Sequence, residues 1–193
     1  MHLSEPRIPP VDPATCDPDT RRLLAESFGQ QGPNVLNIFA TLANHPKLLK
    51  RWSVLGNHLL AKSSLAPRDR EIVILRAGWR AHSDYEWAQH VRIGREAGLT
   101  DTEIGRIAAG PDVPGWSAAD ATLLRAVDEL YDAQFLSEPT WMALSAALDT
   151  HQVMDLVFTA GMYIALAMAL NSFGVQVEPQ TAATAGALYP PPA

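Results

Sequence analysis

The segment from Arg80 to His90, RAHSDYEWAQH, concentrates side chains that can carry out acid–base chemistry. Glu86 and His90 are four residues apart, so on a helix they lie one turn apart on the same face. A histidine titrates near neutral pH and can deliver or remove a proton. Glu71 precedes an apolar run, where a buried carboxylate needs a partner. We therefore expect Glu71, Glu86 and His90 to be the catalytic groups of a proton-transfer site.

The neighbouring residues are candidates for substrate binding. An arginine can pair with a substrate carboxylate through a bidentate contact, aromatic rings can wall a pocket, and the loop offers polar contacts. The expected set is Arg76, Arg80, Trp79, His82, Ser83, Tyr85 and Trp87. Each has a simpler interpretation: the arginines as surface residues and the tryptophans as core.

A capping role competes with catalysis at Glu86. Ser83 followed by Glu86 has the S-x-x-E spacing of a capping box, in which each side chain bonds to a backbone N–H of the first turn. In that case the carboxylate would serve the backbone and not His90. Spacing leaves both interpretations open.

A metal site is a further alternative. Glu86 and His90 could bind a metal ion with help from Glu71 and His58. Di-iron helical bundles use Glu-x-x-His spacing, which this segment does not have. We therefore expect a site that uses neither a metal nor a cofactor, and keep a metal-dependent enzyme using the same residues as an alternative.

The sequence predicts a succession of helices. Pro46 and Pro67 suit the first turn of a helix, TDTE at 100–103 is a capping box, and apolar residues recur at helical spacing between such signals. No alternating run of β-branched residues predicts a strand. The sequence predicts an all-α fold of about eight helices, in which the helices bearing Glu71 and His90 pack side by side because only a short loop joins them.

The two ends differ from the middle in composition. Residues 1–18 carry five of the 15 prolines and predict an extended arm, whereas residues 176–193 are rich in Ala and Thr and predict a loose tail. Residues 19–175 would form one domain. The apolar stretch 156–170 is shorter than the roughly 20 residues of a membrane span, which favours a buried helix.

Composition narrows the class of partner. With 193 residues, 47% hydrophobic and 19% charged, the chain is globular in composition, and its net charge of −6 argues against nucleic acid or an anionic membrane as partner. Its single cysteine, Cys16, excludes an internal disulfide and a CxxC redox pair. The first residues have no apolar signal segment, so we expect a cytoplasmic protein with a small-molecule substrate.

The sequence resembles the carboxymuconolactone decarboxylase family in the spacing of Glu71, Ser83, Glu86 and His90. The resemblance extends to the surrounding sequence, REIVILRAGWRAHSDYEWAQHVRIGREAGLTDTEI. That family shares the alkylhydroperoxidase-D-like helical fold, and this chain resembles a long-chain branch of it. In the peroxidase branch the positions of Ser83 and Glu86 are both cysteine, so the resemblance implies no thiol peroxidase activity here. The decarboxylase branch has a glutamate followed by an aromatic residue, as in Glu86–Trp87.

The resemblance implies a cofactor-free carbon–carbon lyase of decarboxylase type, or an isomerase, acting on a small lactone or keto acid. It also implies a homo-oligomer, as a dimer, trimer or hexamer. A family member in which the Glu and His side chains only pin helices together is the non-catalytic alternative.

Overall fold

The computed structural model describes residues 3–26 and 35–188, and these residues form ten α-helices, one 3-10 turn and no strand. The all-α prediction is confirmed, but with ten helices and not about eight. The helices are α1 (Pro18–Glu26), α2 (Asn37–Leu42), α3 (Pro46–Ala61), α4 (Pro67–Arg80), α5 (Asp84–Glu96), α6 (Asp101–Ala109), α7 (Ala118–Ala133), α8 (Glu138–Ala147), α9 (Thr150–Phe173) and α10 (Pro179–Ala185). The short helices α1, α2 and α10 contain too few turns for a clear apolar period.

Helix α4 is the centre of the domain. It packs against α5, α6, α7 and α9, so that its residues 72–75 and 77 are fully buried. This explains why the sequence of α4 is apolar on all sides and not on one face only. Polar residues on such a helix need partners inside the protein, because an unpaired buried charge is costly.

The α4–α5 pair is joined by Ala81, His82 and Ser83. His82 adopts a positive φ of 51°, and the Ser83 hydroxyl accepts a hydrogen bond from the backbone N–H of Glu86 at the start of α5. The short loop makes α5 return along α4, which places the first half of α4 beside the middle of α5.

Helix α9 has a buried face and an exposed apolar face. Its 24 residues are long and apolar enough to cross a membrane by length and composition, with a mean hydropathy of 1.9 over 18 residues. The apolar stretch 156–170 is only the middle of this helix, which extends from Thr150 to Phe173. Half of that window is nevertheless buried inside the protein, against α3, α4, α7 and α8, as in the core helix of a soluble domain.

The C-terminal segment is not a loose tail where the structure describes it. Residues 179–185 form α10, which packs against α5, and Glu178 accepts hydrogen bonds from Asn37 N–H and from side chains on α5. These partners are more than 80 residues away in the sequence, so composition could not reveal them. Residues 189–193 lie outside the described part of the chain.

The N-terminal residues 3–17 contain turns and bends but no helix, and α1 begins at Pro18. This segment is tied to the body by backbone hydrogen bonds from Arg7 N–H to Phe173 O and from Val11 N–H to Ala40 O. It passes directly over Gly174, the residue that ends α9 with a φ of 69°.

Replacing Gly174 with alanine should lower the free energy of unfolding by about 1–2 kcal/mol, the usual cost of a left-handed backbone for a residue with a Cβ. The added Cβ would also lie 2.9 Å from Glu5 O. The matched control is Gly105→Ala within α6, where nothing lies within 4 Å of the new Cβ and helix propensity predicts a gain of up to about 1 kcal/mol. Urea unfolding measures both, and equal effects would contradict the expectation.

Candidate active site

A buried Glu–His pair joins α4 to α5. His90 Nδ1 lies 2.7 Å from Glu71 Oε2, and Glu71 Oε1 accepts a hydrogen bond of 3.0 Å from Arg70 Nε. Glu71 is 0% exposed and His90 6%. The partner that the sequence required for a buried Glu71 is therefore His90 on one side and Arg70 on the other.

The contact with Glu71 fixes which ring nitrogen of His90 donates a hydrogen bond. A carboxylate paired with an arginine only accepts hydrogen bonds, so Nδ1 of His90 is the donor to Glu71 and Nε2 takes no part in this pair. No described residue donates to Nε2. The ring packs edge-to-face on Tyr163 of α9, with centroids 5.0 Å apart and an interplanar angle of 88°. His90 is thus oriented with one nitrogen still available for a proton.

Glu86 is a buried acid without a hydrogen-bond partner. It is 3% exposed, and neither carboxyl oxygen makes a hydrogen bond with any described residue. Burial raises the pKa of Glu86 well above its usual value, and the nearby Ser83 hydroxyl offsets only part of that effect. Burial therefore favours the protonated form of Glu86.

The competition between capping and catalysis at Glu86 has an unexpected outcome. Ser83 caps α5, but the Glu86 side chain does not return to the backbone, and the Ser83 N–H donates instead to Gly78 O. The His90 partner is Glu71 and not Glu86. The carboxyl of Glu86 packs against Gly78, where an added Cβ would lie 3.3 Å from Glu86 Cβ. The Glu86 carboxyl therefore neither caps α5 nor holds His90.

Glu86, His90 and Tyr163 line one cavity of about 100 Å³ that is partly open to the surface, room for a few waters or a small molecule. Its other walls come from α2, α3, α5 and α9 and are mostly apolar. The remaining lining residues are Leu36, Ile38, Phe39, Trp52, Gly56, Leu60, Tyr85, Gln89, Arg92, Ile93, Met162 and Leu166. Sequence reasoning named Glu86, His90 and Tyr85, and missed the lining residues of other helices, which no local spacing connects.

The C-terminal segment closes one side of this cavity. The Tyr85 hydroxyl donates to Glu178 Oε1 at 2.8 Å and accepts from Ile38 N–H at 3.2 Å, and Gln89 Nε2 donates to Glu178 Oε2 at 2.7 Å. Burial and the Glu178 charge raise the pKa of Tyr85 well above its usual value, so the phenol stays protonated. Tyr85 and Gln89 are held as fixed parts of the wall.

Part of the sequence, from α3 into α7, is similar to a known family. Residues 46–129 match the model of the carboxymuconolactone decarboxylase family. Over this part the chain resembles that family. The matched region contains Glu71, Glu86 and His90, whereas Tyr163 and Glu178 lie beyond it. The resemblance found in the sequence is therefore confirmed.

Solved structures agree on the alkylhydroperoxidase-like fold. An uncharacterised peroxidase-related protein from Ralstonia eutropha JMP134, described as an alkylhydroperoxidase AhpD core, has a TM-score of 0.77 at 17% identity, covering 91% of this chain and 94% of its own. A peroxidase-related protein from Silicibacter sp. TM1040 has a TM-score of 0.76 at 14% identity, covering 93% and 96%.

A third similar structure is a variant of the debrominase Bmp8 in complex with 2,3,4-tribromopyrrole. Its TM-score is 0.71 at 12% identity, covering 94% of this chain and 96% of that one. At such identities these structures establish the fold of this chain and not its activity. No curated protein matches the sequence.

Arg76 and Arg80 do not line the cavity, which corrects their expected role there. Arg76 forms a bidentate pair with Asp128 at 2.7 and 2.9 Å and also donates to the carbonyls of Ile107 and Ala108. Arg80 bonds to Asp128 and to Asp132. Both guanidinium groups therefore join α4 to α7, where a substrate in the cavity would not meet them.

Of the other expected binding residues, only Tyr85 lines the cavity. Trp87 is in the core, where its indole N–H donates to Leu188 O and its ring packs on Trp79 at 5.2 Å. His82 is exposed in the α4–α5 loop, and Ser83 is the cap of α5. The simpler interpretation of the tryptophans is the correct one, because α5 turns that face toward the core.

His58 is not part of the cavity either. Its Nε2 lies 3.2 Å from Asp155 Oδ1 on α9, so it cannot complete a ligand set with Glu71. Within residues 3–26 and 35–188, no group of three or more His, Cys, Asp or Glu side chains is arranged to hold a metal ion.

Arg76→Lys should destabilise the protein by about 2 kcal/mol, since a lysine cannot bond to Asp128 and both carbonyls at once and a lost hydrogen bond to a charged group costs that much. Activity per folded molecule should not change. Thermal or urea unfolding of the purified variant tests the first statement and turnover the second. Loss of turnover with unchanged stability would return Arg76 to the substrate site.

Proposed function

We propose that the cavity is the active site of a cofactor-free enzyme that moves a proton at a carbon atom of a small lactone or keto acid. One observation supports this above the others: Glu86, a buried acid without a hydrogen-bond partner among the described residues, and His90, a histidine held by Glu71, line the same cavity. Paired groups with different protonation states are the usual basis of acid–base catalysis.

The isomerase form of the reaction uses the two groups in turn. His90 Nε2 removes a proton from the carbon beside the carbonyl, and the electron pair moves to the carbonyl oxygen. Glu71 stabilises the imidazolium that forms, as a carboxylate does for a catalytic histidine. Glu86 donates a hydrogen bond to the developing enolate. In a substrate with a β,γ carbon–carbon double bond, His90 then returns the proton to the γ carbon, and the double bond moves to the α,β position.

The lyase form requires a carboxylate on the substrate. The carbon–carbon bond to that carboxylate breaks, CO₂ leaves, and its electron pair forms the enolate, which then takes a proton at carbon from Glu86 or from a protonated His90. An anionic substrate needs a cation, because an unpaired charge in an apolar cavity is costly. Arg92 is the arginine in the lining, and it now pairs with Glu96 at 2.6 Å on the surface.

These contacts favour a neutral lactone and the isomerase form. A lactone enters an apolar cavity without burying a charge, whereas a keto acid must first draw Arg92 away from Glu96. Thiol chemistry does not fit, because Cys16 lies in the N-terminal segment, bonds to Pro13 O and does not line the cavity.

Nuclear magnetic resonance of lactones and keto acids incubated with the protein in D₂O separates the two forms. Deuterium at carbon without loss of CO₂ indicates isomerisation, whereas CO₂ release indicates a lyase. Arg92→Gln should weaken only the reaction of keto acids, and Arg51→Gln, at an exposed position of α3, is the matched control. A panel with neither deuterium incorporation nor CO₂ release would contradict the proposal.

A further inference from the structure

A second, larger depression lies between α3 and α9. It encloses about 600 Å³, and only apolar residues line it: Leu42, Leu48, Trp52, Leu55, Val157, Phe158, Gly161, Met162, Ala165, Leu166, Ala169 and Phe173. We call it the α3–α9 groove. Its volume falls within the range of small-molecule sites, and the cavity beside it is six times smaller.

Small residues of α9 create the groove. Gly161, Ala165 and Ala169 recur at four-residue spacing and form its floor, while Leu48, Leu55 and Phe158 at its edge remain 41–56% exposed. Such a strip often admits a neighbouring helix, but among the described residues none covers it. An exposed apolar surface of this kind marks a binding site.

The groove shares a wall with the cavity. Trp52, Met162 and Leu166 line both, so a single layer of side chains separates the groove from the chamber of Glu86 and His90. Met162 is half-buried, and its unbranched side chain changes rotamer easily. Movement of Met162 would join the two spaces into one elongated site.

We propose that the α3–α9 groove binds an apolar chain of the substrate whose reactive ring or carbonyl lies in the cavity. This rests on the proposed function, since the cavity defines where the reactive group goes. The groove presents no charged side chain, so its occupant is a hydrocarbon chain, and the shared wall connects that chain to the reactive end. The substrate class is thus an alkyl-substituted lactone and not the bare ring.

Binding of a series of γ-lactones, from γ-butyrolactone to γ-dodecalactone, tests this by calorimetry or by the change in tryptophan fluorescence. Each methylene placed in the groove should lower the Kd about fourfold, until the groove is full. Binding requires no turnover, so the result is independent of whether the lactones react.

Gly161→Leu should fill the groove, because nothing lies within 4 Å of a Cβ at this position. The ratio of the Kd values for γ-butyrolactone and γ-dodecalactone should fall at least tenfold in this variant. Ala146→Leu, at an exposed position of α8, is the matched control and should keep the wild-type ratio. Unfolding curves for both variants confirm that they are folded.

A Kd that does not depend on chain length, or a ratio that Gly161→Leu leaves unchanged, would overturn the proposal. So would a dimer that Gly161→Leu dissociates in sedimentation experiments without any chain-length effect, because the groove would then belong to a second copy of the chain. Chain-length dependence without exchange at carbon would support the groove and contradict the proposed function. Exchange of γ-butyrolactone without chain-length dependence would do the reverse.

Discussion

Replacing Glu71 with alanine is expected to lower the free energy of unfolding by about 3–5 kcal/mol, the cost of removing one partner of a buried ion pair. The substitution leaves Arg70 and the Nδ1–H of His90 without their acceptor at a position that is fully buried. It also opens a void in the centre of α4. Urea unfolding at neutral pH measures the loss.

Glu71→Gln is the matched variant that separates structure from chemistry. Its amide oxygen can still accept from Nδ1–H, so most of the stability should remain. The amide cannot stabilise an imidazolium as a carboxylate does, so turnover should fall by more than tenfold. A Glu71→Gln variant with full activity would show that Glu71 only fastens α5 to α4.

Replacing Glu86 with glutamine should make the protein progressively more stable than the wild type as the pH rises. Burial raises the pKa of Glu86 in the folded state well above that in the unfolded chain. The folded protein therefore holds a proton that the unfolded chain releases above about pH 4.5, so the stability due to Glu86 is present at low pH and declines toward the folded-state pKa.

The slope of this effect is up to about 1.4 kcal/mol per pH unit for a single group. The difference in free energy of unfolding between wild type and Glu86→Gln should therefore be larger at pH 8 than at pH 5. A constant difference would mean that Glu86 is ionised in the folded protein. In the lyase form turnover should fall by about 10²–10⁴, the usual contribution of a general acid, because the amide cannot supply a proton. In the isomerase form the fall should be smaller, because the amide still donates a hydrogen bond to the enolate.

The sequence predicted the part of the site that one helix pair carries. Glu71, Glu86 and His90 lie on α4 and α5, and the short loop between these helices brings the Glu71 and His90 positions together. Which of the two glutamates pairs with His90 was not predictable. Whether His90 pairs with Glu86 or with Glu71 depends on how closely α5 approaches α4 at Gly78, and α5 is held there by packing against α6 and α10 as well.

The remaining walls come from contacts that sequence spacing does not encode. Tyr163 lies more than 70 residues from His90, and Glu178 lies 93 residues from the Tyr85 hydroxyl to which it bonds. Arg76 was expected at the substrate because its acceptor, Asp128, is 52 residues away. The apolar run of α4 was a sign that any polar residue on it would be internally paired, and Arg76 follows that rule as much as Glu71 does.

The most direct test of the account is the rate of carbon–hydrogen exchange in D₂O measured beside the free energy of unfolding for wild type and His90→Gln. With a lactone that the wild type exchanges, His90→Gln should lose at least a hundredfold in rate. Its stability should stay within about 1.5 kcal/mol of the wild type, because the glutamine amide can still donate to Glu71. Undiminished exchange in His90→Gln would contradict the account. A sharp loss of stability in His90→Gln, together with a wild type that exchanges no lactone or keto acid, would also contradict it, because a purely structural Glu–His pair behaves in that way.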